Sequence, residues 1–429
     1  MQARIKDYPI KDILFVYFII AYSTVPFFRN NFGQALLLIC IFYSHKEILR
    51  VLRIEGLYAL LLVFVLEFYH FVYFPDYDTG VFRQVVTSFL ISLCVVYYLR
   101  LNFFDIYIKI MYITAIVSFF FFFSLLVSPS FVHSIDDSIP NIFRVGAKHA
   151  QYYGVDLVRV NPIIYNFDYN FYSIRNNGPF WEPTVFASLL LIAQIFNFII
   201  YKKLFNKNGI IFTITILTTL STTVFVTYFF FLASTILINP KIKFILKIIL
   251  LAGTAIISAY LYYEMPFLQE KITKQITEVD ENIELTGDSR IAGATLDLFE
   301  ISQDNLYILF GKGSDRDSRI AGKDKTVQRN CGLTGLLIEW GIFFFLIYIA
   351  LIYYSFYQIS RVFGTNTLFA LPFTICILIV SFSEVFFELS LFHAFMFFGL
   401  ALKHHNKQNY NHVRIMQKAN QDNHHVMMA

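Results

Sequence analysis

The chain has 429 residues, of which 57% are hydrophobic, 19% aromatic and only 15% charged, with a mean hydropathy of +0.58. A soluble domain carries about 25% charged residues, so this composition excludes a soluble enzyme, a disordered chain and a secreted disulfide scaffold. The 34 basic and 30 acidic residues leave a formal charge of +4, too little for a nucleic-acid partner, and the composition reads as an all-α polytopic membrane protein.

A helix needs about 20 apolar residues to cross a hydrocarbon core of about 30 Å. Twelve stretches are expected to do so, near 12–28, 32–44, 56–74, 82–99, 108–127, 183–201, 209–221, 222–239, 244–264, 331–357, 367–383 and 387–402. The first follows Arg4, Lys6 and Lys11 and is succeeded by Pro26-Phe27-Phe28-Arg29 in place of a small-residue cleavage site. It reads as an uncleaved anchor. The long apolar stretch 209–239 is split at Ser221-Thr222-Thr223. Two crossings there put the clusters around Lys203 and Lys241 on one side, and every cytoplasmic segment is then basic, as the positive-inside rule requires. Both termini are expected in the cytoplasm.

The spans divide the chain into a five-helix region at 1–127, a long outer loop at 128–182, central helices at 183–264, a second outer loop at 265–330, three helices at 331–402 and a tail at 403–429. The tail holds His404, His405, His412, His424 and His425; its composition fits a solvated segment better than a metal site. Cys40, Cys94, Cys331 and Cys376 show no pairing or metal spacing and read as packing residues.

The outer loops carry the candidate chemistry. Arg144, Arg159 and Arg175 lie in the first, and Arg290, Arg316, Arg319 and Arg329 in the second with Lys312, Lys323 and Lys325; Arg83 lies just outside the fourth span. One reading is a solvated basic face. The other is bidentate recognition of a phosphate or diphosphate, for which a permanently charged guanidinium suits. The hexapeptide Asp288-Ser289-Arg290-Ile291-Ala292-Gly293 recurs as Asp317–Gly322. Two such turns would grip two phosphorylated ligands, unless the duplication has no function. Between them, Gly311-Lys312-Gly313-Ser314 is a turn through which backbone N–H groups would approach a phosphate, although it lacks the spacing of a nucleotide loop.

In Arg175-Asn176-Asn177-Gly178-Pro179-Phe180-Trp181-Glu182-Pro183, Trp181 suits a membrane interface. Pro183 suits a first helical turn. Glu182 then sits at a helix N-terminus, as a structural carboxylate or as a general base. Glu67, Glu339, Glu384 and Glu388 lie in or near the bilayer, where they serve interhelical bonding or a proton path, and Glu67 and His70 share a helix face. Asp76-Tyr77-Asp78 has the form of an Asp-x-Asp metal pair, a common pattern. No metal site is expected, and no Ser-His-Asp order, HExxH or CxxC is present.

Two long outer loops, the segment Arg175/Gly178/Phe180/Glu182/Pro183, the hairpin ending Leu220-Ser221, then Ser289-Arg290, Gly311-x-Gly313, Asn330 and Gly335-Leu336-Leu337-Ile338-Glu339-Trp340-Gly341 together resemble the O-antigen polymerase and ligase superfamily. The topological likeness covers most of the chain, and the residue likeness is confined to 175–190, 216–223 and 289–342. The sequence departs from ligases in having Arg329-Asn330 where they carry His-Asn, and Thr222-Thr223 where they often have an Arg after Ser221.

The resemblance implies a polysaccharide repeat-unit polymerase of a bacterial inner membrane, acting without a cofactor on polyprenyl-diphosphate-linked saccharides. It also implies a flippase and a chain-length regulator as partners. In that reading Arg175, Arg290, Arg319, Arg329 and Arg83 hold diphosphates, Gly178, Gly311 and Gly313 shape the loops, and Glu182 activates the acceptor hydroxyl. Tyr152, Tyr153, Tyr165, Tyr169 and Tyr172 would stack on sugars or pack the loop. A ligase acting on lipid A core is the alternative within the superfamily, and a transporter or flippase the alternative outside it.

Overall fold

The computed structural model of the protein describes residues 8–75, 77–140, 144–152, 155–160, 163–166, 175–240, 242–250, 252–253, 290–315 and 331–403. Its helices follow the apolar stretches. They are α1 (Ile10–Thr24), α2 (Asn31–Val51), α3 (Ile54–Tyr73), α4 (Thr79–Leu99), α5 (Asn102–Val127), α6 (Pro129–Asp137), α7 (Pro183–Tyr201), α8 (Lys207–Thr219) and α9 (Thr222–Ile238). After these come α10 (Arg290–Ile301), α11 (Asn305–Phe310), α12 (Gly332–Phe363), α13 (Ala370–Ser383) and α14 (Ser390–Leu402). Within the first loop an antiparallel pair, β1 (Arg144–Tyr152) and β2 (Val155–Val160), joins Arg144 to Val160 and Tyr152 to Val155, with an irregularity between Gly146 and Gln151.

Six of these helices, α2, α3, α4, α5, α7 and α12, are long and apolar enough to cross a membrane; α9, the segment Thr367–Ser383 and α14 are shorter apolar helices. The protein is a helical membrane protein. Large apolar side chains such as Phe42, Tyr43, Leu61, Phe120 and Phe343 face outward, as expected where lipid replaces water as the solvent. The second stretch is longer than its sequence suggests, because Asn30 caps α2 by accepting from Phe32 N and Gly33 N and the helix runs on through the polar residues to Val51. The 209–239 stretch is two helices, with Leu220 left-handed between them at φ 51°. Of the stretch 244–264, only 244–250 and 252–253 lie within the described residues.

The core is aromatic and tightly interlocked. Helix α7 is buried along its length, and α12 packs on α13 and α14 while α14 packs on α4. Phe104 meets Phe196 at 4.9 Å and Phe398 at 4.8 Å, and Phe386 stacks on Phe392 at 4.5 Å. Such contacts supply both area and geometry. Basic groups gather at one end of the bundle, where Lys11 pairs with Glu47, Lys403 with Glu55, and Arg361 donates to the Lys403 carbonyl.

Near the opposite end α12 is interrupted. Gly341 has φ 70° and ψ 175°, and the chain before it lies against residues 309–313. Lys312 N donates to Ile338 O at 2.7 Å and Gly313 N to Glu339 O at 2.9 Å. The break frees those carbonyls from the helical ladder, and the incoming loop satisfies them, as a buried backbone requires. A Cβ on Gly311 would stand 2.3 Å from Glu339 O, and one on Gly341 would stand 2.3 Å from Leu309 O, so only glycine fits at this crossing.

Candidate functional site

At the end of the bundle away from the basic cluster, the break in α12 and the N-termini of α2, α4 and α14 surround a cavity of about 890 Å³. Its wall includes Arg29, Arg83, Asp78, Asp315, Glu339 and Glu388, and both tryptophans of the chain, Trp181 and Trp340.

Local structure explains each placement. Asn30, besides capping α2, donates from Nδ2 to Phe27 O at 3.0 Å. This fixes the tight corner that presents Arg29, whose guanidinium lies 4.4 Å over the Trp181 ring in a cation–π contact. Asp78 caps α4, its Oδ1 accepting from Gly80 N at 2.7 Å, and Arg83 follows in the next turn, exposed at the mouth. Asp78 N in turn donates to Asp315 Oδ2 at 2.8 Å.

Beneath this wall a polar lock joins the ends of α3 and the 311–315 loop. Tyr77 donates its hydroxyl to Glu67 Oε2 at 2.6 Å and accepts from Ser314 N at 3.0 Å, while Ser314 Oγ donates to Glu67 Oε1 at 2.8 Å. Burial, with the adjacent Glu67 carboxylate, pushes the Tyr77 hydroxyl far above its ordinary value, so it remains a donor. His70 Nε2 lies 2.7 Å from Phe310 O, and because a carbonyl only accepts, that nitrogen carries the proton.

Of the residues singled out from sequence, Arg83 lines the cavity, as do Trp181, Glu339 and Glu388. Among the described residues, Arg175 and Arg290 do not line it. Arg175 donates from Nε to Thr219 O at 3.0 Å and from Nη2 to Leu220 O at 3.2 Å, holding the α8–α9 turn. Arg290 donates from Nε to Ser383 O at 2.6 Å and pairs from Nη2 with Glu384 at 3.3 Å, closing the C-terminus of α13, where a cation suits the exposed carbonyls. Glu182 is the N-cap residue of α7, yet its side chain makes no capping bond and it does not line the cavity.

Gly178 is left-handed at φ 53° and its carbonyl accepts from Asn166 N, which anchors the re-entry segment. The expectation that the Gly311–Gly313 turn offers N–H groups to a phosphate is corrected. Gly311 N donates to Tyr307 O, Lys312 N and Gly313 N to α12, and Ser314 N to Tyr77. Lys312 is committed too, its ammonium held by Glu300 and lying 5.2 Å from the Tyr307 ring centroid.

Arg319, Arg329, Arg316, Lys323, Lys325, Asp288, Ser289, Asn330, the second copy of the repeat, Asp76, Tyr153, Tyr169, Tyr172 and the histidine-rich tail lie outside the described residues, as do the side chains of Arg144, Tyr152 and Arg159. Tyr165 is buried and stacks on Phe121 at 5.0 Å, a packing position.

Sequence reasoning missed Arg29, Asp315, Ser88 and His393 at this cavity. Arg29 did carry a signal, since it is a basic residue in a short connection that the sequence reading expects on the side poor in Lys and Arg. No protein-family model matches this chain, and no curated protein matches it.

Proposed function

We propose that the chain crosses the bacterial inner membrane twelve times, opens this cavity on the non-cytoplasmic face, and polymerises lipid-linked polysaccharide repeat units there. The observation that carries the reading is the division of charge in the cavity. Arg29 and Arg83 stand exposed at its rim, whereas Asp315 and Glu339 lie buried deeper and Asp78 and Glu388 complete the wall. A diphosphate fits the guanidinium rim. A hydroxyl-rich sugar fits a pocket of carboxylate acceptors and aromatic side chains. A polyprenyl tail fits the lipid around the bundle. The positive-inside rule favours the cytoplasm for the basic end of the bundle, which supports an outward-facing cavity.

In this scheme the acceptor's sugar hydroxyl attacks the donor's anomeric carbon. The new C–O bond forms as the bond to the diphosphate oxygen breaks, the electron pair leaves with polyprenyl diphosphate, and the hydroxyl proton passes to a base on the cavity wall. Arg29 and Arg83 offset the added negative charge where it develops. The activated donor carries its own leaving group, so no nucleotide or cofactor is invoked.

The test is reconstitution of the full-length protein in vesicles with the lipid-linked repeat unit that accumulates in cells lacking the gene. The wild type lengthens the glycan. Arg29→Ala and Arg83→Ala each cut the rate by at least about tenfold with an unchanged melting temperature. A wild-type protein that joins no repeat units ends the proposal.

A further inference from the structure

One hydrogen-bonded chain on the cavity wall has no part in the arginine–carboxylate division. His393, in the first turn of α14, has Nε2 2.7 Å from the carbonyl of Phe387. A carbonyl only accepts, so Nε2 carries the proton and Nδ1 presents a lone pair. Ser88 Oγ, on α4, lies 3.0 Å from that Nδ1 and therefore donates to it. Ser88 Oγ is also 2.7 Å from Ser390 Oγ. With the Ser88 proton already committed, Ser390 is the donor there. One lone pair of Ser88 Oγ is then left for another donor.

The assembly is held by packing and hydrogen bonds. Phe89 stacks on the imidazole at 3.7 Å, and Ser92 Oγ lies 2.7 Å from the Ser88 carbonyl and 2.6 Å from the Ser390 carbonyl, which share its one proton. Ser88, Ser390 and His393 all line the cavity.

Building on the polymerase reading, we propose that Ser88 receives the acceptor hydroxyl and passes its proton to His393. The acceptor O–H donates to the remaining lone pair of Ser88 Oγ. As that oxygen bonds to the anomeric carbon, its proton moves to Ser88 Oγ and the Ser88 proton moves to His393 Nδ1. The bond between the anomeric carbon and the diphosphate oxygen breaks, and its electron pair leaves with the diphosphate. The imidazolium then releases the proton to water, restoring the neutral ring.

The surroundings fit that cycle. The first turn of a helix disfavours a resting imidazolium, so the ring waits in its accepting form. Around it stand Ser88 from α4, Tyr348 from α12, Glu339 farther along the wall and Glu388 just before α14. The Glu388 carboxylate offsets the transient positive charge. A bond serving only to join α4 to α14 would not need an imidazole facing the cavity.

His393 acts through Ser88, so the readout must separate transfer from structure. In the vesicle assay with the accumulated repeat unit as donor and acceptor, kcat and KM are measured in ordinary and in deuterated water. The wild-type kcat is lower in deuterated water, because two protons move in the transfer step. Ser88→Ala lowers kcat by at least about tenfold, leaves KM unchanged and loses that isotope effect. His393→Asn does the same. If the His393 variant does not fold, Ser88→Ala decides alone, since it removes one hydroxyl. A Ser88→Ala protein with kcat within about threefold of wild type and the same isotope effect overturns the relay while leaving the polymerase reading standing. A wild type that joins no sugars overturns both.

Discussion

Arg290 and Arg83 are indistinguishable as letters in segments expected to lie outside, yet their surroundings separate them. Arg290 sits in a partly buried ion pair with Glu384 and on the Ser383 carbonyl, whereas Arg83 stands exposed at the cavity rim. Truncating Arg290 leaves a buried carboxylate and a carbonyl without this partner, at a cost of about 1–3 kcal/mol. Arg290→Ala should therefore lower the detergent melting temperature, and Arg290→Lys should recover only part of it, because one ammonium replaces a two-pronged donor. Loss of polymer from Arg290→Ala at an unchanged melting temperature would return this residue to the reaction site.

Tyr77 supplies a second test at this scale. Its folded-state hydroxyl is held far above the ordinary value by burial first and the Glu67 charge second. Below the unfolded tyrosine value of about 10, both states keep the proton and the contribution is complete. Above it the unfolded chain ionises while the folded one does not, so stability falls as pH rises. Wild type should lose melting temperature from about pH 9 to about pH 11 more steeply than Tyr77→Phe. Equal slopes would place the titrating group elsewhere.

At the scale of elements, the break in α12 decides where the site is. A continuous helix through Gly341 would keep the 338 and 339 carbonyls in its own ladder and deny them to Lys312 N and Gly313 N. Gly311→Ala and Gly341→Ala each put a Cβ 2.3 Å from a backbone carbonyl oxygen. Overpacking of this kind costs about 1–3 kcal/mol, to which the positive φ adds. Both variants should fold poorly or lose the pairing of Lys312 N with Ile338 O, seen as faster amide exchange at 312 and 313. Unchanged protection would show that the crossing tolerates a side chain. The α8–α9 turn is the complementary case, with Leu220 accommodated in a left-handed conformation where Arg175 binds the final carbonyls.

Across the whole molecule, the two ends of the bundle differ in kind. One carries paired lysines and arginines, and the other a cavity with charged groups of both signs. With Cys40, Cys94, Cys331 and Cys376 replaced, a cysteine at Gln84 should react with an impermeant reagent from the non-cytoplasmic side. One at Glu47, exposed at the far end of α2, should react only after permeabilisation. The same sidedness for both positions would defeat the proposed topology and the outward-facing cavity with it.

Composition alone decided that the protein lives in a bilayer, because 15% charged residues cannot cover a wet surface. Local pattern decided most helices: α7 begins at Pro183 because proline suits a first turn, and the 209–239 stretch divides where Ser and Thr interrupt it. The sequence did not reveal which polar groups share a cavity. Ser88 and His393 are 305 positions apart, and each by itself is an unremarked polar residue in an apolar helix. Only the packing of α4 against α14 turns them into a pair. The loop glycines show the converse, since a turn that looked open to phosphate has its N–H groups used by Tyr307, α12 and Tyr77. Hydrogen-bonding capacity is a property of a residue, but what remains unspent is set by its neighbours, and those are chosen by the tertiary fold.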